Sequence, residues 1–518
     1  MTAIKGIAAS LVLMTFSFYV FAQEKSYDKP SAVKKIIEAY GGAGTILAFN
    51  KKLKEFDGVK SSNGKSTKIM REEEGDKYSV KYINDPAKFT AGFDGQHFWS
   101  SKYGFVDVKS KSEGLPELCL LRHSLFQLLQ KLIENPEVAE TANEDTIFQK
   151  DQTVNCIMMQ CGRADPGMKI WIDANSFLIL RIESRYESPF LEQPNYAIKY
   201  DFSDYHPWAG TMYPMHEVAW INGEEKDFQF TSWSIVDSPS VSQSLSSIPR
   251  DVSLPEFKAP FRIENGQVFI DGLINNHHVS ILVDTGANFT AISKEISKNA
   301  GVTPINGSNE TSSTLFGTFG AQPAIINELK FNAGSEIANF PVLIVDNFAY
   351  QCRLGTDIMK KYRVKFDFLS NQITFSKKEI SFESEHACLL PFSLAEVPYV
   401  KGSVNGNSGQ FIVDTGTSPT LLIVSDDTAI SGHTVDSTIT GTTRYPSATI
   451  RGKVESLKVG QLQFGNVDAT KISNITTNSS NILGLKFLRR FSIAIFDFLN
   501  ENLVLIPMEI VLWQSNYR

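Results

Sequence analysis

A chain of 518 residues, 42% hydrophobic and 21% charged, carries enough apolar material for cores in roughly two to four domains. A net charge of -7 and the lack of a long basic run exclude an electrostatic case for a nucleic-acid partner. Cys119, Cys156, Cys161, Cys352 and Cys388 are odd in number and scattered, with the spacing of neither a disulfide framework nor a zinc site. They read as isolated buried thiols, and no metal or organic cofactor is expected.

The first 22 residues have the layout of a secretory signal peptide: Lys5, an apolar run from Gly6 to Phe21, and the small residue Ala22. The run is short for a membrane span, so no stable membrane insertion is expected. One Asn-x-Ser/Thr site falls at Asn288, where a glycan would obstruct the nearby Asp284. The expectation is therefore a secreted or periplasmic protein of a bacterium.

Residues 23–235 read as a first domain. "SAVKKIIEAYGG" predicts a helix with Ser31 as N-cap and Gly41 and Gly42 as its stop. Strand-like runs follow, among them "KYSVKYIN", "AKFTAGFDGQHFWSS", "MKIWIDANSFLILRIESRY" and "EKDFQFTSWSIV", joined by Asp, Asn and Gly turns that predict antiparallel hairpins. Between them, leucines at 118, 120, 121, 125, 128, 129 and 132 predict a helix over 116–134 that covers one face of a curved sheet. "IIEAYGG", "AGFDGQHFW" and "KIWIDANSFLILRIE" give this region a resemblance to the periplasmic lipoprotein-carrier and outer-membrane lipoprotein-sorting fold, an unclosed β-barrel with helices on its concave side. That resemblance implies an α+β domain whose cavity either takes an apolar ligand or is filled by its own core.

Residues 236–258 are rich in Ser and Pro without an apolar period, and read as a linker. Beyond them the chain repeats itself. "ILVDTGANFT" at 281–290 returns as "FIVDTGTSPT" at 411–420, an offset of 130 between Asp284 and Asp414. Ile274-Asn275 returns as Val404-Asn405. Each half adds a hydrophobic-Gly element: Leu354-Gly355, with Gly355 71 positions after Asp284, and Leu483-Gly484, with Gly484 70 positions after Asp414. The chain thus holds an internal duplication, with lobes at 259–387 and 388–510.

Two tandem Asp-Thr-Gly stretches with their hydrophobic-Gly partners resemble the aspartic proteases, the retropepsin-like branch by length of each half. The resemblance implies a two-lobed all-β fold, so the whole chain is expected to be mostly β. It also implies an aspartic endopeptidase acting on peptide or protein substrates, with both halves in one monomeric chain. Two adjacent carboxylates can hydrolyse a peptide bond, one ionised to take a proton from water and one protonated to polarise the carbonyl. Asp284 and Asp414 are the proposed pair. Thr285 and Thr415 are expected to buttress the two turns, Gly286 and Gly416 to admit close backbone approach, and Thr417, where the first half has Ala287, to donate to its Asp. Gly317 and Gly320 in the first half and Gly441 in the second mark candidate flap hairpins. Lys486 departs from the repeat at the position of Asp357, a difference expected to affect only the outer face of a short helix. The reading from another class is a noncatalytic binding protein, whose first domain carries a lipid or lipoprotein and whose protease fold only grips peptides.

Overall fold

The computed structural model describes residues 27–508 except 63–64, 76, 86–87, 103–104, 109–124, 150, 162–167, 187–195, 222–223, 237–253, 306–309, 315–316, 332–333, 383–385, 425–427, 429, 441–445 and 473–479. The expected signal peptide, most of the linker, and Gly441 lie outside the described residues. The chain is mostly β. In the first domain, alternation along each run and polar turns between runs produce thirteen strands in one antiparallel sheet, two meanders joined where the first strand pairs with the last. The sheet runs from an edge at Phe105–Val108, through Leu53–Ser62 and Glu224–Val236 in the middle, to an edge at Ala139–Gln149. Those edges do not pair, so the sheet is curved and unclosed.

Helices cover this sheet. The first, Lys29–Ala39, is capped by Asp28, whose carboxylate accepts from Ser31 N at 3.2 Å. Ser31, expected as the cap, instead lies inside the helix, because Pro30 belongs in the first turn, where its missing N–H costs nothing. Gly41 ends it at φ 86°, close against the backbone of Gly210. The leucine-rich helix is described over Leu125–Glu134, with Leu125, Leu128, Leu129 and Leu132 buried. Aromatic rings fill in between it and the sheet: Phe49 lies 4.8 Å from Phe126 and Phe56 5.0 Å from Tyr213, centroid to centroid.

The repeat builds the second region twice. An eight-stranded sheet contains Gln267–Ile274, His277–Val283 and Cys352–Leu354 of lobe 1. Their counterparts in lobe 2, Val397–Val404, Asn407–Asp414 and Asn481–Gly484, have the same neighbours in the same senses. The two turn asparagines serve one purpose. Asn275 and Asn405 take left-handed φ values of 45° and 50°, and their side-chain oxygens accept from Glu328 N at 3.0 Å and Ser456 N at 3.1 Å.

The lobes are joined by strand pairing. Arg363–Asp367 runs antiparallel to Phe491–Asp497, with Lys365 opposite Ile495, its own counterpart 130 positions on, so the two-fold relation passes between them. Gln372–Ser376 and Phe257–Pro260 extend this sheet on one side, Asn502–Pro507 and Cys388–Ala395 on the other. A single buried cluster runs through both lobes, from Leu254 to Leu505. Leu254 and Phe257 belong to that core although they fall in the stretch read as linker; Phe257 stacks between Phe331 and Phe375 at 4.1 and 4.4 Å. Ser and Pro neighbours hid two apolar residues whose partners are more than 70 positions away.

Candidate active site

Asp284 follows the strand His277–Val283 and Asp414 ends the strand Asn407–Asp414. Alternate residues of each strand, Val279, Ile281 and Val283 in one and Phe411 and Val413 in the other, sit in the core and hold the aspartates at fixed heights. Parallel pairing fixes the far side: Val283 lies opposite Leu354, and Val413 opposite Leu483.

The two turns meet through their threonines. Thr285 N donates to Thr415 Oγ1 at 3.1 Å and Thr415 N to Thr285 Oγ1 at 3.0 Å. Each hydroxyl then donates across the interface, Thr285 to Val413 O and Thr415 to Val283 O, both at 2.7 Å. Both threonines are fully buried, so these four bonds are made without competition from water. Gly286 N donates to Asp284 Oδ1 at 3.0 Å and Gly416 N to Asp414 Oδ1 at 2.7 Å.

The glycines have a further role that the sequence reading missed. A Cβ on Gly286 would overlap the carboxyl of Asp414, and one on Gly416 would lie 2.5 Å from the Asp284 carboxyl carbon. Each glycine therefore makes room for the opposite lobe's carboxylate. The two carboxyls lie within hydrogen-bonding reach of each other. Burial pushes Asp284 well above the usual carboxylate range, the charge of Asp414 adds to this, and Arg353 opposes it. Thr417 Oγ1 donates to Asp414 Oδ2 at 2.7 Å, a bond that Ala287 cannot reproduce for Asp284.

The hydrophobic-Gly elements pack where expected. A Cβ on Gly355 would come within 2.6 Å of the Phe289 carbonyl carbon, and one on Gly484 would overlap the carbonyls of Thr417 and Pro419. The next residues clamp the turns: Thr356 N donates to Ala287 O and Leu485 N to Thr417 O, both at 2.7 Å.

The Asp357/Lys486 difference reaches deeper than the outer face of a helix. Asp357 is turned inward, accepting from Thr290 N at 2.8 Å and Thr290 Oγ1 at 2.7 Å. Lys486 points outward to Asp468 at 3.0 Å, and Thr420 Oγ1, the counterpart of Thr290, is buried without a hydrogen bond among the described residues. Gly317 and Gly320 lie on a hairpin in which Glu310–Thr314 pairs with Gly317–Phe331. In lobe 2, Ser431–Thr440 and Pro446–Val459 pair up to Thr440 opposite Pro446.

Three neighbours of the pair were not singled out from the sequence. Gln267 donates to Tyr350 OH at 2.8 Å and to Gly416 O across the lobe boundary. Arg353 brings its Nε to 3.9 Å from Asp284 Oδ2. Its signal was present: "RLG" replaces the "ILG" of the other half. Among the described residues no His, Cys, Asp and Glu cluster has the arrangement of a metal site.

The family model described as "gag-polyprotein putative aspartyl protease" matches residues 270–361 and 400–490. Both lobes are similar to that protease family. Each match spans one Asp-Thr-Gly turn and its hydrophobic-Gly element, so the family resemblance of the repeat holds for both halves. No curated protein matches the chain. Among solved structures, one described as a "putative outer membrane lipoprotein-sorting protein domain from Vibrio parahaemolyticus" is 8% identical, covering 42% of this chain and 100% of its own. Its TM-score of 0.29 is too low to support an argument.

Proposed function

We propose that the chain is an exported, bacterial, single-chain aspartic endopeptidase. The observation that carries this reading is the mutual threonine grip, which sets two buried carboxyls within reach of each other. In the working state Asp414 is ionised and Asp284 protonated. Asp414 takes a proton from the bound water while Asp284 donates its hydrogen bond to the scissile carbonyl, and the tetrahedral intermediate collapses with proton transfer to the leaving amine. The lobe-joining sheet supplies both halves from one chain, so the enzyme acts as a monomer on peptide or protein substrates. The first domain presents substrates or holds an apolar group of them, and the N-terminal apolar stretch directs export.

The test is digestion of a peptide library by the intact chain, by Asp284→Asn and by Asp414→Asn. Each variant should lose about 10²–10⁴-fold in turnover while keeping its fold, because each removes one proton-transfer group and preserves shape. Near-normal turnover in either would rule out the two-carboxylate mechanism. Peptide binding by the wild type without cleavage would support the noncatalytic reading instead.

A further inference from the structure

Arg353 is the middle residue of Cys352–Leu354. Its neighbours Cys352 and Leu354 enter the main core, so Arg353 faces the other side of the sheet, the side of Ala291, Phe348 and Tyr350. It is only 7% exposed. Its guanidinium lies 5.5 Å from the Phe348 ring centroid, its Nη2 3.5 Å from Phe289 O, and its Nε 3.9 Å from Asp284 Oδ2. Lobe 2 has Ile482 at the equivalent place, opposite Ile412 as Arg353 is opposite Leu282, and buried among Leu422 and Ile472. At this position lobe 1 therefore places a positive charge beside the pair where lobe 2 has an apolar residue.

A buried guanidinium needs an anion close by. Two carboxyls sharing one proton carry a single negative charge, so with Arg353 the centre is neutral overall. Resting on the protease reading above, we propose that Arg353 is a third charged member of this centre, a positioning residue that favours the singly protonated pair and moves its working pH range toward acid. The sign follows from the charges. A nearby cation favours each ionised form, so both titration steps of the pair fall, and the interval between them, in which the pair holds one proton, falls with them.

Among the described residues, the other groups facing this centre do not supply that charge. Tyr350, raised by burial, accepts from Gln267. Asp357 is occupied by Thr290, and Glu396 by Asn288 at 2.8 Å. On the opposite face, burial pushes the Cys352 thiol up to about 12.

The experiment uses the full chain with Arg353→Ile, which installs the lobe 2 residue, Arg353→Gln, and the charge-retaining Arg353→Lys. Two readouts are taken: the pH profile of kcat/KM on one peptide, and the pH titration of the aspartate carboxyls by carbon-13 NMR, assigned with Asp284→Asn. Ile and Gln should move both limbs and both titration steps upward by about 1–2 units, and Lys should restore most of the shift. Unmoved titration in Ile or Gln overturns the inference, as does a variant that changes only the preference for acidic side chains beside the cleaved bond. Should Ile fail to fold, the Gln and Lys variants decide. A wild type that hydrolyses nothing while the variants' titrations shift as expected refutes the protease reading and leaves the charge assignment standing.

Discussion

The two lobes agree at the turns, where each grips the other, and part at several places where each touches only itself. Thr285 and Thr415, and Gly286 and Gly416, lie on or beside the two-fold relation, where each copy is the other's partner. A change in one grip threonine or glycine would injure both turns, so these letters are repeated. Thr290 and Thr420 face their own lobes, and there the copies part: Asp357 satisfies the first, while Lys486 turns outward and the second has no partner among the described residues. Arg353 and Ile482 likewise differ. The reciprocal grip holds its residues constant; these local positions let lobe 1 turn charge inward.

The largest expected effect breaks the reciprocal set. Gly286→Ala and Gly416→Ala should each abolish hydrolysis, since the added methyl occupies space taken by the opposite carboxyl. Peptide turnover measured beside thermal unfolding would check this, and wild-type activity in either variant would mean the carboxyls are not juxtaposed. The two substitutions should be about equally severe, because each injures the aspartate of the other lobe.

A smaller effect sharpens the local difference. Thr290→Val should cost about 1–3 kcal/mol of stability, because it deprives the half-buried, inward-turned Asp357 of a hydroxyl donor. Thr420→Val should cost close to nothing or stabilise, since that hydroxyl is buried without a partner among the described residues. Denaturant melts of the two variants measure the contrast, and equal losses would contradict it.

Much of this was legible in the sequence, for reasons that separate along the same line. The strands, the two aspartates, their threonines and the hydrophobic-Gly pairs were readable because duplication writes each constraint twice. Leu254 and Phe257 were not, because their partners are distant in the chain and their neighbours suggested a linker. Asp357 was taken for an outward residue because a four-residue helix shows no face by periodicity. Arg353 was passed over inside a repeat read for its glycine. The helix start at Lys29 was missed by a few residues, because both Asp28 and Ser31 have capping side chains.

The smallest effect concerns the proton. Ala287→Ser supplies Asp284 with the kind of donor that Thr417 gives Asp414 and should move the pH–activity profile toward acid; Thr417→Ala removes that donor and should move it toward neutral. Each shift should be a fraction of a unit to about one unit. Movement in one common direction would show that the residue after Asp-Thr-Gly does not set the asymmetry.

The most direct measurement is a mixing experiment. Asp284→Asn and Asp414→Asn are purified separately, combined in equal amounts, and assayed against the peptide that the wild type cleaves. Because the grip joins Thr285 and Thr415 within one chain, the mixture should remain as inactive as either variant alone. Activity in a single variant would remove the need for two carboxylates, and activity appearing only in the mixture would show that the site is assembled from two chains.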